Sequence, residues 1–167
     1  MWIDGSNRVW LGGDKGRLFL LDQSSGRYHS IKIDCLRSPN DQLQVITGNE
    51  HFIYLGFQYS GIIRYDLSKK SFSNLSLGVD EREVVFVHDI LIDENILWVA
   101  TEKGLYSYDE TTKRTTRLKR DYFDPLSLSD NAIYSVYKDR DNGLWVGTYF
   151  GGINYVSLVQ NRFIDSY

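Results

Sequence analysis

The sequence contains few of the residues that cross-link chains or interrupt strands. Its 167 residues include two prolines and a single cysteine, Cys35. One cysteine excludes an intrachain disulfide, so cysteine content does not indicate a redox compartment. Because no motif places a histidine beside Cys35, we interpret it as a structural thiol and not as a nucleophile.

Long apolar runs and an excess of one charge are also missing. No stretch of about 18 consecutive apolar residues occurs, so we expect no membrane-spanning helix, and no signal-peptide pattern follows Met1. Lys and Arg number 19 against 22 Asp and Glu, and the two signs are interspersed to give a net charge of −3. Such a balance favours neither nucleic acid nor an anionic membrane surface as a partner.

Aromatic residues are abundant, with twelve Tyr, eight Phe and four Trp, and four of them mark a repeat. Each lies in a short β-prone run that is followed by a glycine-containing link and a second run. These anchor residues are spaced 44, 44 and 47 residues apart and are Trp10, Tyr54, Trp98 and Trp145. Self-similarity at this period predicts a β-propeller or a related repeat array.

Each repeat is interpreted as a blade of four short antiparallel strands, A to D. The sequence predicts an all-β fold of about four blades and about sixteen strands, without a convincing helical period. The whole chain, residues 1–167, is one partial propeller in this interpretation. Its blades cover residues of about 1–33, 43–76, 85–119 and 133–167, and the last D strand is assigned to residues 162–167.

The first repeat is shorter at its beginning than the others. Asp4 precedes Trp10 by six residues, as Asp139 precedes Trp145, so the chain starts inside the first strand of its repeat. We therefore expect an open arc from a larger propeller of the seven-bladed type. Since each blade buries its faces only against its neighbours, such an arc should associate with itself or with the remaining blades of a longer parent protein.

The fourth copy carries the most specific pattern. Its diagnostic stretches are Ser-Leu-Ser-Asp-Asn at 127–131, Asp-Arg-Asp-Asn-Gly at 139–143, Leu-Trp-Val-Gly-Thr at 144–148 and Gly-Gly-Ile-Asn-Tyr at 151–155. This copy resembles the two-component-regulator propeller repeat, found in the periplasmic sensor region of hybrid two-component systems of Bacteroidetes. The third copy matches well, whereas the first two are degenerate, with Tyr54 in place of Trp.

The resemblance implies a ligand-sensing segment of a sensor histidine kinase, located outside the cytoplasm and responding to carbohydrate, with an oligosaccharide as its ligand. The sequence itself contains no recognisable catalytic or metal-binding motif. His29, His51 and His88 have no metal-ligand spacing, and the Asp139 loop lacks the glutamate of a calcium loop because its twelfth residue is Phe150. The sequence therefore predicts no catalytic residue, no metal and no cofactor, and a propeller-fold lyase or glycosidase is the least favoured alternative.

One end of the predicted blades collects aromatic and amide side chains. The B–C links and the D–A segments share this end, and the candidate ligand-binding residues on them are Gln58, Tyr59, Tyr122, Tyr149 and Phe150. Loop aromatics mixed with amides suit a sugar or a protein partner, although they would also suit gaps between blades. The alternative function is therefore a purely structural or protein-interaction propeller.

The four anchor residues are interpreted differently. They lie in the middle of predicted B strands between aliphatic neighbours, so we expect them to fill the core between blades and not to form sugar-stacking platforms.

Overall fold

The computed structural model describes residues 1–13, 16–80 and 83–157. Within these ranges the chain forms fifteen strands and no helix. The strands make four antiparallel sheets that follow one another along the chain, each with sequential neighbours paired. The all-β prediction is therefore confirmed.

The sheets are numbered in chain order. The first sheet comprises β1 (Trp2–Ile3), β2 (Val9–Gly13), β3 (Arg17–Asp22) and β4 (Arg27–Lys32). The second comprises β5 (Leu43–Gly48), β6 (Phe52–Phe57), β7 (Ile62–Asp66) and β8 (Ser71–Leu75). The third comprises β9 (Val87–Asp93), β10 (Ile96–Thr101), β11 (Gly104–Asp109) and β12 (Thr115–Leu118). The fourth comprises β13 (Ile133–Lys138), β14 (Gly143–Thr148) and β15 (Ile153–Ser157), and the predicted strand at 162–167 lies outside the described residues.

The turns after the third strands of the second and third sheets share one construction. The carboxylate of Asp66 accepts backbone hydrogen bonds from Ser68 and Lys69, and Asp109 does the same for Thr111 and Thr112. Hydrogen bonds from the Ser68 side chain and from nearby N–H groups lower the pKa of Asp66 to about 2. Short aspartate side chains are favoured in such turns because they satisfy N–H groups that the sheet ladder leaves unpaired.

The core consists of three layers of side chains between consecutive sheets. We call the face that carries the anchor residue the anchor face, and the opposite side of the same sheet the back face. In each layer the anchor face of one sheet packs on the back face of the next. Trp10 packs with Ile53, Leu55, Ile63 and Tyr65; Tyr54 with Leu97, Val99, Tyr106 and Tyr108; and Trp98 with Val136, Leu144 and Val146.

The fourth anchor residue does not follow this scheme. Trp10 and Tyr54 are almost fully buried and Trp98 is 9% exposed, whereas Trp145 is 43% exposed. The expectation that Trp145 fills a core between blades is therefore not met, because no sheet among the described residues covers its face. Packing joins neighbouring sheets along the chain, so the described part of the molecule is an open arc of propeller blades, as predicted.

Two of the tryptophans are tied to the turn that precedes them. The Trp10 indole N–H donates to Asp4 at 3.0 Å, and the Trp145 indole N–H donates to Asp139 at 2.7 Å. In the third sheet the equivalent position is Ile92, which cannot accept a hydrogen bond. The indole N–H of Trp98 is accordingly buried without a partner among the described residues.

Candidate functional site

Aspartates placed just before the first strand of a sheet hold the loops at the end predicted to bind a ligand. Asp130 accepts the backbone N–H of Phe150 at 3.0 Å, and this bond is the main reason that its pKa is lowered. Asp41 accepts the N–H groups of Tyr59 and Ser60 at 3.0 and 2.7 Å. The links after β6 and β14 are therefore fixed by side chains from the segment that enters their own sheet.

Glycines allow the link of the fourth sheet to lie close to that segment. Gly152 has φ of +75°, a conformation that L side chains rarely adopt. A Cβ on Gly151 would lie 2.3 Å from the Ser129 hydroxyl, which donates a hydrogen bond to the Gly151 carbonyl at 3.0 Å. This close approach to Ser129 presents Tyr149 and Phe150 on a fixed loop.

A β-bulge occurs at the start of the first strand in the second, third and fourth sheets. The pairing skips Gln44, His88 and Tyr134, which occupy the same position in their repeats. A bulge re-aims the side chain of the extra residue and is common beside functional sites. Here two of the three bulges place His88 and Tyr134 next to each other across the boundary between the third and fourth sheets.

Five rings form a continuous row across that boundary, which we call the aromatic row: Phe86, His88, Tyr134, Tyr149 and Phe150. Successive ring centroids are 4.2, 4.0, 5.2 and 4.4 Å apart, and the first three contacts are stacked while the last is edge-on. Exposure rises along the row, from 44% for Tyr134 to 85% for Phe150. Phe86 and His88 form the packed base of the row, and Tyr149 and Phe150 at its other end expose their rings to solvent.

A carboxylate lies beside the packed base of the row. Glu102 Oε1 is 2.7 Å from His88 Nε2 and accepts a longer bond of 3.4 Å from the Tyr134 hydroxyl. Burial and the Glu102 charge both raise the pKa of Tyr134, so its hydroxyl stays protonated at neutral pH. The site thus combines exposed aromatic faces with a partly exposed acceptor that retains free lone pairs.

The structure brings together only two of the five predicted ligand-binding residues. Tyr149 and Phe150 are in contact, whereas Tyr59 lines a separate groove of about 490 Å³ that is formed mainly by the second sheet and the segment after β8. Tyr122 is 82% exposed with the Arg120 guanidinium 4.4 Å from its ring centre, and Gln58 donates its backbone N–H to Gln42. In the described part of the chain no ring contact links Tyr59 or Tyr122 to the row.

Sequence reasoning missed Phe86, His88, Glu102 and Tyr134. The available signal was the equivalence of His88 and Tyr134, which lie two residues before Ile90 and Val136 at matching points of their repeats. The described residues contain no group of three or more His, Cys, Asp or Glu arranged to hold a metal ion.

An open arc of sequential antiparallel sheets defines a propeller-type fold, and comparison with known proteins agrees. The family model described as two component regulator propeller matches residues 127–150, which run from the segment before β13 to the Tyr149–Phe150 link. The stretch that includes β13 and β14 is therefore similar to this repeat, and the resemblance noted in the sequence is confirmed.

Three solved structures share the fold. The extracellular domain of BT4673 from B. thetaiotaomicron, assigned as a hybrid two component system, is 22% identical with a TM-score of 0.59, over 93% of this chain and 26% of that chain. The extracellular domain of BT3049, assigned likewise and from the same organism, is 19% identical with a TM-score of 0.56, over 92% and 26%. A chain of the mitotic checkpoint complex is 11% identical with a TM-score of 0.67, over 93% and 45%.

The chain spans about a quarter of the length of the two extracellular domains that it resembles. At these identities the likeness concerns the fold. No curated protein matches the sequence. Over residues 1–13, 16–80 and 83–157, no helix is long and apolar enough to cross a membrane.

Proposed function

We propose that this chain is part of an extracytoplasmic ligand-sensing propeller of a hybrid two-component system, and that its ligand is a carbohydrate bound at the aromatic row. The observation that carries the proposal is the row itself, in which rings from two sheets stack beside Glu102 and the outer rings, Tyr149 and Phe150, are exposed. The two component regulator propeller repeat at 127–150 and the extracellular neighbours support the sensor role.

The chemistry of the row suits a sugar. The C–H faces of a pyranose ring pack on aromatic faces, and Tyr149 and Phe150 leave such faces exposed on a loop that is already ordered. Sugar hydroxyls donate hydrogen bonds, and Glu102 offers a carboxylate acceptor near the base. Little ordering is then needed on binding, which limits its entropic cost.

In this proposal the chain binds its ligand without transforming it. The kinase of a longer protein would carry the chemistry, and the propeller would report occupancy through its loops. The structural or protein-interaction alternative makes a different prediction, because it requires no small molecule at the row.

The test is binding of the 167-residue chain to an array of neutral and acidic oligosaccharides, followed by titration calorimetry with the strongest binder. Tyr149→Ala should weaken binding at least about tenfold while leaving the melting temperature nearly unchanged, because Tyr149 is exposed. Tyr28→Ala is the matched control, since Tyr28 is exposed to a similar extent but lies on the outermost strand of the first sheet.

Tyr59→Ala distinguishes the row from the groove formed by the second sheet and the segment after β8. If Tyr59→Ala abolishes binding and Tyr149→Ala does not, the ligand occupies the groove and the row assignment is wrong. Absence of binding to every oligosaccharide on the array would contradict the carbohydrate assignment.

A further inference from the structure

The carboxylate beside the aromatic row is held by two donors that need no charge of their own. A carboxylate only accepts hydrogen bonds, so the Nε2 of His88, 2.7 Å from Glu102 Oε1, carries a proton and donates it. The Tyr134 hydroxyl donates to the same oxygen at 3.4 Å. Neither bond requires a positive charge on its donor, so this arrangement leaves the negative charge of Glu102 uncompensated.

The second oxygen of this carboxylate is open to a ligand. Glu102 Oε2 has no hydrogen-bond partner in the part of the chain that the structure describes, and the side chain is 38% exposed. The neighbouring Lys103 does not compensate it, because its ammonium group pairs with Glu83 at 2.7 Å. The boundary between the third and fourth sheets therefore presents a charged acceptor to solvent beside the row.

Two more carboxylates lie at the backbone of the row and its surroundings. Asp130 accepts the N–H of Phe150 at 3.0 Å, and Asp89 accepts the N–H of Val136 at 3.1 Å. Arg120 provides a positive charge near Asp130, but its guanidinium packs on a ring outside the row. Negative charge therefore predominates where a ligand of the row would bind.

The exposed rings favour a ligand of the opposite sign. The face of an aromatic ring carries partial negative charge and attracts an ammonium group. Tyr149 and Phe150 are exposed, and within the described residues no lysine or arginine packs over a ring of the row. Aromatic faces beside a carboxylate therefore suit a cationic group, whereas a carboxylate or sulfate on the ligand would be repelled.

We propose that the aromatic row selects sugars by charge: it prefers sugars with a free amino group to neutral sugars and excludes acidic ones. This inference rests on the proposed function, since it names the class of carbohydrate that the row binds. The ammonium group pairs with Glu102 Oε2 while the sugar ring packs on Tyr149. Two unit charges about 4 Å apart near a protein surface attract strongly enough to change affinity at least about tenfold.

Titration calorimetry of the 167-residue chain with three glucosamine oligosaccharides of equal length tests this preference. The amino groups are free in the first, acetylated in the second and sulfated in the third, so the charge changes from positive to neutral to negative on one sugar backbone. At a pH at which the free amine is protonated, the first should bind at least about tenfold more tightly than the second. The third should show no binding.

Glu102→Gln assigns the preference to the carboxylate. The amide oxygen can still accept the hydrogen bond from His88, but the negative charge is gone. Affinity for the free-amine oligosaccharide should fall at least about tenfold, while affinity for the acetylated one should change less than about threefold. Glu94→Gln is the matched control, because it removes the same charge from an exposed turn at the opposite end of the third sheet and should change neither affinity.

Several results would overturn the proposal. They are equal affinity for the free-amine and acetylated forms, binding of the sulfated form as tight as that of the acetylated form, a preference for the free amine that survives in Glu102→Gln, and absence of binding by all three oligosaccharides. In each case, binding of any oligosaccharide of the array that depends on Tyr149 would still support the proposed function. Circular dichroism of each variant confirms that its sheets are intact before the comparison is made.

Discussion

The third and fourth sheets carry nearly the same central motif and use its tryptophan in opposite ways. Leu-Trp-Val-Ala-Thr in β10 buries Trp98 against the fourth sheet, whereas Leu-Trp-Val-Gly-Thr in β14 leaves Trp145 43% exposed. The flanking residues behave alike, since Leu97 and Val99 are as buried as Leu144 and Val146. The two sheets differ only in the exposure of the anchor face, which becomes buried when a following sheet packs on it.

The difference shows which part of the burial is local and which depends on position in the array. The motif determines that a strand forms and which residues share a face, because side chains alternate along a strand. Whether the anchor face is core or surface depends on the neighbour that packs on it. In a repeat protein stability is accordingly a sum of sheets and of the interfaces between them.

The largest expected effect is the difference in stability loss between truncation of Trp98 and truncation of Trp145. Trp98→Ala should lower the free energy of unfolding by about 3–5 kcal/mol, because it leaves a cavity between the third and fourth sheets. Trp145→Ala should cost less than about 2 kcal/mol, because that side chain is already partly in water. Urea unfolding of dilute samples measures both.

Equal losses in the two variants would contradict the burial difference. Trp2→Ala offers no useful control, since Trp2 packs against the core of the first two sheets. Tyr137→Ala is a better one, because it removes a neighbouring aromatic of the exposed face and should also cost little.

A smaller difference in stability should separate the contribution of the indole hydrogen bond from that of burial of the tryptophan ring. Trp10→Phe removes an indole N–H that donates to Asp4, while Trp98→Phe removes one that has no partner in the described structure. Both sites lose the same volume, so Trp10→Phe should be more destabilising by about 1–2 kcal/mol. Thermal or urea unfolding would refute this if Trp98→Phe were the costlier change.

The smallest expected effect is the response of the Trp145 indole to protonation of Asp139 at acid pH. Hydrogen bonds from the Trp145 indole and the Gly143 N–H lower the pKa of Asp139 below the ordinary value of an aspartate. Because the pKa of Asp139 is lower in the folded than in the unfolded state, its ionised carboxylate stabilises the fold at a pH above the unfolded-state pKa. This contribution is lost as the pH falls through the folded-state pKa. The indole ¹⁵N resonance of Trp145 should therefore titrate with a midpoint below the ordinary pKa of an aspartate.

Trp98 is the internal control in the same spectrum. Its indole N–H has no hydrogen-bond partner in the described part of the chain, so its resonance should stay constant over the range in which that of Trp145 moves. Parallel shifts of the two signals would indicate general acid unfolding and not titration of Asp139.

Much of the fold was predictable because the chain repeats one structural unit, an antiparallel sheet built around an anchor residue. The spacing of the anchor residues predicted four consecutive antiparallel sheets, and the shortened first repeat predicted an open arc. The link that carries Tyr149 and Phe150 was expected at one end of the blades, but the sequence left open whether these rings bind a ligand or fill gaps between blades. The residues 162–167, predicted as a last strand, lie outside the described residues.

The aromatic row was not predictable in the same way. Its members His88 and Tyr134 are 46 residues apart and meet only because consecutive sheets pack together. Both are bulge residues, and the side on which a bulged residue points depends on backbone pairing that the alternating pattern does not encode. The exposure of Trp145 was missed for a related reason, since the motif is the same whether or not a sheet follows.

Solvent exposure of each tryptophan in the intact chain tests the central claim most directly. In chain labelled with 5-fluorotryptophan, the ¹⁹F signals are assigned by single Trp→Phe variants, and the shift between H₂O and D₂O is measured in a sample dilute enough to sediment as a monomer. We expect a large solvent isotope shift for Trp145 and almost none for Trp10 and Trp98. A Trp145 signal as insensitive to solvent as that of Trp98 would contradict the claim that position in the array decides which anchor residue is buried.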